Sequence, residues 1–415
     1  MSTSEPRIAI IGGGPAGLTA GLLLHKRSVP FTIFELRQEP TKEELSEPSG
    51  SLDLHEKSGI AALKACGVFD EFLTLTGDCT EACRVCDKHG NILYEDEGEM
   101  SNRPEISRHA LTKLLMSHIP ADHIKWGYKL LSATSSTTSE HTEIELDFGP
   151  HGKDTFDLVI GADGAWSKVR RLLSDIKPKY TGWQVITLTI RGISKKYPHL
   201  SELVGTGGFS ALGNRHGVMS QRGVQDSSRI YIFLTIEDEN FASSTGLEGK
   251  PAAVTKERLL SDNKLLGTWG SPIKELVTTA CNEEMAVNPN AAVDIRSMYM
   301  LPIGYTWEHK TGATIVGDAA HLAPPAGEGV NIAMWDSLLV AHAIIKAYDT
   351  TVKDAVSFQD AVDPLIRDFE ADLMARGSEM AQESLKINQM MFGEDGAKAF
   401  SDFFLSMVPP SDPAA

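Results

Sequence analysis

Two glycine-rich segments about 300 residues apart hold the residues best suited to chemistry. In the first, GGGPAG, Gly12, Gly14 and Gly17 make a GxGxxG turn, with the small Ala16 inside it. A backbone without Cβ atoms can turn tightly there and approach a pyrophosphate. A helix opening at the turn adds free N–H groups and the positive end of its dipole. Glu35 follows about twenty residues on, where a carboxylate can accept hydrogen bonds from a ribose. In the second segment, GDAAHLAPPAGEGVN over 317–331, Asp318 stands at the end of an apolar run. Pro324, Pro325, Ala326, Gly327 and Gly329 then make a loop poor in side chains ahead of a helical pattern beginning near Val330 and Asn331. N–H groups at such a helix start would face whatever lies before them. A flavin ring with its N1 edge there would have its anionic reduced form stabilised by the dipole.

These residues need elements to hold them, and the apolar pattern supplies them. Residues 7–11 (RIAII) read as a buried strand, Leu18 and Leu22 to Leu24 as a helix, and 31–34 as a second strand: a βαβ start. A loop rich in Glu, Pro and Ser follows over 36–50, with helices at 55–66 and 107–118 and a hairpin about His89 and Gly90 between them. Residues 156–160 and 311–316 read as further buried strands of the same sheet. Between them, 184–190 and 229–236 alternate as half-exposed strands, with helices near 256–266 and 273–282. Long helical patterns run over 330–347 and 352–391. The expected fold is α/β: a Rossmann-like dinucleotide domain formed by 1–175 and 301–350, a mostly antiparallel β-sheet domain at 176–300, and a C-terminal helix and tail at 351–415.

With 415 residues, two closely packed domains are the natural expectation. A hydrophobic content of 41% against 23% charged suits a soluble protein. No apolar run reaches spanning length and no export segment precedes the first strand, so a cytoplasmic location is expected. The formal net charge of −17 argues against nucleic acid or an anionic membrane as partner, since both need a basic footprint. Five cysteines, Cys66, Cys79, Cys83, Cys86 and Cys281, make disulfides unexpected in such a setting. Cys83 and Cys86 form a CxxC without a second ligand pair, so they are read as small buried hydrophobes and no metal site is expected.

The GGGPAG turn with Glu35, the stretch DLVIGADGAWSKVR over 157–170 and the segment 317–331 together resemble the three fingerprints of class A flavoprotein monooxygenases, the para-hydroxybenzoate hydroxylase-like group. Within it, SLDLH over 51–55, Lys57-Ser58-Gly59 and PEISR over 104–108 are most similar to the tetracycline-inactivating flavin monooxygenases. The resemblance implies tightly but non-covalently bound FAD and a transient NADPH that reduces it without a second dinucleotide domain. Dioxygen would then be carried as a C4a hydroperoxide to an aromatic or polycyclic small molecule. It also implies FAD contacts for Leu36, Arg37, Leu52, Asp53 and Arg108, a place for Asp163 between FAD and the NADPH groove, and ribityl binding by Asp318. His321 is read as a satisfied structural histidine. Two departures stand out: Leu36 replaces the arginine that usually follows the ribose Glu, and Glu328 replaces a usual glutamine.

On the substrate side, Gln184 matches a substrate-facing glutamine and Met391 a methionine of the C-terminal helix. Tyr231 and Phe233 stand where the tetracycline enzymes have His and Gly, and Pro325, Ala326 and Gly327 would face substrate from the loop. The cofactor carries such chemistry, so no Ser/His/Asp set is required. Alternatives of other kinds are a flavin-dependent halogenase, whose WxWxIP stretch is missing around Trp183, and a non-catalytic FAD-fold protein like the Rab GDP-dissociation inhibitors.

Overall fold

The structure is a computed structural model describing residues 5–77, 80–98, 103–137, 141–354 and 356–407. Its first sheet is wholly parallel, in the order Ala313–Ile315, Leu158–Gly161, Ile8–Ile11, Thr32–Glu35 and Ile124–Trp126. The central strand IAII is buried at every residue, as a parallel strand covered on both faces must be. Helix Pro15–Lys26 covers one face and is itself buried from Gly17 to Leu24, because helix Gly329–Asp354 packs over it. Gly21 lets helix Pro15–Lys26 lie close against the sheet, since a Cβ there would lie 2.7 Å from Ile33. By length and composition, Gly329–Lys353 could cross a membrane, but half of it is buried against the rest of the protein.

The second sheet has seven strands, in the order Asp294–Met300, Lys179–Ile190, Ser227–Thr235, His216–Gly223, Gly208–Gly213, Cys83–Asp87 and Ile92–Asp96. Among the described strands it is antiparallel except where Gly208–Gly213 runs parallel to Cys83–Asp87. The hairpin at 83–96 therefore completes the second sheet, although the sequence pattern assigns it to the dinucleotide domain. Alternation divides the sheet's two faces. Ile186, Leu188 and Ile190 face a core shared with helices Ala252–Ser261 and Ser271–Val287, whereas Trp183, Val185 and Phe233 pack with Met391, Phe392 and Phe400. These last three come from the C-terminal region, where helix Phe358–Met391 is followed by helix Gly396–Met407.

The same alternation settles the CxxC. Three residues apart on one strand, Cys83 and Cys86 point to opposite faces and cannot share a ligand. Burial pushes the Cys83 thiol up to about 12 and that of Cys86 to about 11, as befits inert thiols. Cys79 lies outside the described residues.

Candidate functional site

The glycine motifs converge at the carboxyl ends of the parallel strands, the edge where ligands bind in open α/β sheets. Gly12 has φ +113°, and a Cβ on it would lie 2.2 Å from the Ala162 carbonyl oxygen. A Cβ on Gly17 would lie 1.9 Å from the carbonyl of Gly12. These two glycines let the backbone fold on itself, while Gly14, the residue before the helix, faces open space. Glu35 braces the turn: its carboxylate accepts from the Gly13 N–H at 2.6 Å and from the Arg37 N–H at 2.9 Å. Leu36 and Arg37 are exposed beside it, and Leu52 is buried in the strand Ser51–Asp53.

The segment 157–170 ties the motifs together. Asp163 accepts from Ser167 Oγ at 2.5 Å and from the Lys168 N–H at 2.6 Å, so its carboxylate braces its own loop. Burial pushes that carboxyl up, against those hydrogen bonds. Arg170 is buried and donates to the carbonyls of Ala319, at 2.9 Å, and Ala165, at 2.7 Å. A Cβ added to Gly317 would meet Ala333 and Ala16, so the third motif touches the first.

Asp318 opens the short helix Asp318–His321. Its side chain is solvent-accessible, yet surrounding protein pushes its carboxyl above the ordinary range, against the pull of His321 and Arg108. Both conditions hold together for a carboxylate deep in a cleft. Arg108, the first residue of helix Arg108–Ser117, is thus electrostatically coupled to Asp318. His321 is buried and pairs with fully buried Asp336 at 2.6 Å. Asp336 also accepts from the Gly317 N–H at 3.0 Å and Arg376 at 3.1 Å.

The loop ahead of helix Gly329–Asp354 is zipped to the strand Ser51–Asp53. Asn331, fully buried, donates to the carbonyls of Asp53, at 2.9 Å, and Gly327, at 3.2 Å, and accepts from the His55 N–H at 2.8 Å. Pro325, Gly327 and Gly329 stay exposed, and nothing lies within 4 Å of a Cβ built on Gly329. Open glycines at two helix starts, with an acid–base pair between them, suit the pyrophosphate and ring of a flavin dinucleotide. The sequence singles out Glu328 as a departure but leaves His55 without a role. In the structure, the His55 ring lies between Asp53 Oδ2, 3.0 Å from Nε2, and Glu328 Oε2, 3.3 Å from Nδ1.

Of the expected substrate contacts, Tyr231, Phe233 and Met391 share one apolar cluster. The Tyr231 hydroxyl lies 2.6 Å from where a Cβ on Gly50 would stand, so it borders the strand Ser51–Asp53. Asn388 Nδ2 donates to the Pro325 carbonyl at 2.9 Å, docking the long helix on the loop that carries Ala326 and Gly327. Gln184 is a correction. It is 1% exposed and pairs in register with Leu234, on the face opposite Tyr231 and Phe233. Its amide is filled by Tyr180, the carbonyls of Asp238 and Glu239, and Ser297. A groove of about 460 Å³ lined by Arg7, Phe34, Lys125 and Phe156 lies about the opposite, amino-terminal edge of the parallel sheet, away from these motifs.

Residues 5–246 match the FAD binding domain family. Monooxygenase penA of Penicillium thymicola is 35% identical, over 95% of this chain and 98% of its own. Among solved structures, HpxO of Klebsiella pneumoniae, complexed with FAD and uric acid, shares the fold at TM-score 0.73 and 14% identity, covering 97% of this chain and 93% of its own. Tetracycline destructase Tet(55) shares it at TM-score 0.61 and 18% identity, covering 97% and 91%. With the three fingerprint segments gathered on one sheet edge, the chain belongs to the FAD binding domain family and, within it, to the FAD-dependent monooxygenases.

Proposed function

We propose that this protein is a single-component, NADPH-consuming flavin monooxygenase that adds oxygen to an aromatic or polycyclic small molecule of polyketide or tetracycline-like type, in secondary metabolism in the cytoplasm. The observation that carries this is Asp318: accessible to solvent, yet desolvated by surrounding protein and electrostatically coupled to Arg108, it stands just before the glycine loop 324–329 that leads into helix Gly329–Asp354. In this reading the turn at Gly12, Gly14, Ala16 and Gly17 receives the pyrophosphate and Glu35 the adenosine ribose. Asp318 and Arg108 hold the ribityl chain. Gly329, Val330 and Asn331 present N–H groups to the ring. Bound FAD supplies the redox and oxygen-activating chemistry. The chain's own residues orient it, and the apolar cluster of Tyr231, Phe233 and Met391 keeps the space in front of Pro325, Ala326 and Gly327 poor in water. NADPH docks transiently beside the loop braced by Asp163.

The test is turnover. Incubating the FAD-loaded enzyme with NADPH, air and a panel of polycyclic phenols and enols should give products heavier by one oxygen atom, detected by mass spectrometry. NADPH oxidation that never transfers oxygen to any panel member, at a rate unchanged by all of them, would count against this substrate class.

A further inference from the structure

His55 sits where its chemistry is constrained by geometry. Its two ring nitrogens meet carboxylate oxygens on opposite sides, Asp53 at 3.0 Å and Glu328 at 3.3 Å. A carboxylate accepts hydrogen bonds, so both contacts are satisfied only when both ring nitrogens carry protons. The ring is largely buried, with the side chain 16% exposed, and the backbone N–H of His55 is tied to Asn331. The two carboxylates come from different elements: Asp53 ends the strand Ser51–Asp53, and Glu328 precedes helix Gly329–Asp354. Without a cation between them, two negative charges would stand beside the helix start that faces the flavin ring.

We propose that His55 is a positioning residue whose imidazolium latches the glycine loop 324–329 to the strand Ser51–Asp53 and cancels the extra charge of Glu328, so that the loop can receive FAD. The proposal rests on the FAD assignment and needs neither NADPH nor a particular substrate. The groups against the ring nitrogens are Asp53 from the strand and Glu328 from the loop, while the neutral Asn331 from the helix holds the backbone N–H of His55. Hydrogen bonds donated to Asp53 and then to Glu328 hold the imidazole up at about 9, against the pull of burial. The latch is therefore closed at neutral pH and opens as pH rises through that value.

The experiment measures FAD affinity, not turnover. FAD-loaded protein is equilibrated across a pH series, released flavin is quantified after ultrafiltration, and circular dichroism verifies that each variant is folded. For the unsubstituted protein we expect affinity to fall about tenfold across a midpoint near pH 9. H55Q should bind about tenfold more weakly at neutral pH and lose that midpoint. E328Q should move the midpoint toward the ordinary histidine range, and H55Q/E328Q should regain most of the affinity lost in H55Q, because the charge needing cancellation is gone. An H55Q protein with unchanged affinity and pH profile overturns the proposal, as does a double variant no better than H55Q. An FAD-loaded protein that does not oxidise NADPH would instead contradict the functional reading and leave these affinities measurable.

Discussion

At the residue scale, the informative side chains are charged groups whose surroundings fix their use. Asp318 is accessible yet partly desolvated, the state of a carboxylate awaiting hydroxyl donors at the bottom of a cleft. Asp318→Ala should weaken FAD binding by about tenfold to a hundredfold, the worth of a lost charge-assisted hydrogen bond. Fluorescence titration of the flavin-free protein reads this directly, and unchanged affinity would remove Asp318 from the site. Such roles are partly legible in sequence, because a carboxylate after a strand and before a glycine loop has few other uses. Gln184 shows the limit. Its place on a strand says that it faces one side of a sheet, but which side depends on register with Leu234, and register is set by distant pairing. The role of His55 was likewise hidden, because one of its carboxylates is 273 positions away.

At the scale of elements, Asn331 holds together a strand, a loop and a helix start. Its amide mimics a backbone group, pairing with the carbonyl of Asp53 and the N–H of His55 as a neighbouring strand would. Asn331→Ala leaves those buried groups unpaired and should cost about 3 kcal/mol of stability. Chemical denaturation would detect it as a lower midpoint at unchanged slope, and a midpoint equal to that of the unsubstituted protein would show that the zipper carries no load. The elements around this point are legible because their patterns are strong: IAII followed by GxGxxG admits little besides a strand and a helix. Helix starts are less so. The pattern at 55–66 suggests a helix from His55, but the chain turns through 55–58 and the helix begins at Gly59, because His55 and Ser58 are drawn to Asn331.

For the whole molecule, two histidines join segments far apart in sequence. His55 ties the strand at 51–53 to the loop at 328. His309 binds Asp363, at 2.9 Å, and Glu370, at 2.7 Å, anchoring helix Phe358–Met391. Burial pulls His309 down, but hydrogen bonds to Asp363 and Glu370 outweigh it and hold the imidazole above its ordinary value. Groups raised on folding stabilise the protein fully below their unfolded value, near 6.5, and lose that contribution as pH rises through the folded value, about 9 for His55. Discounting for the partly exposed Glu328, His55 is worth about 2 kcal/mol from mildly acid to neutral pH, where its carboxylate partners are ionised. The melting temperature should therefore fall by a few degrees between about pH 7 and about pH 10, as calorimetry on the flavin-free protein would show. A flat profile would mean that neither histidine is held charged. This scale was the least legible in sequence: the hairpin at 83–96 joins a sheet whose other strands begin nearly a hundred residues later, and no local pattern announces that pairing.

The central claim is that this cleft holds an FAD that NADPH reduces and air reoxidises. The most direct measurement is the visible spectrum of the purified protein, taken anaerobically before and after NADPH and again on admitting air. The account predicts a flavin band that bleaches with NADPH and returns with oxygen. A colourless protein that cannot be reconstituted with added FAD, or a yellow one that NADPH never bleaches with or without an aromatic substrate present, would contradict it.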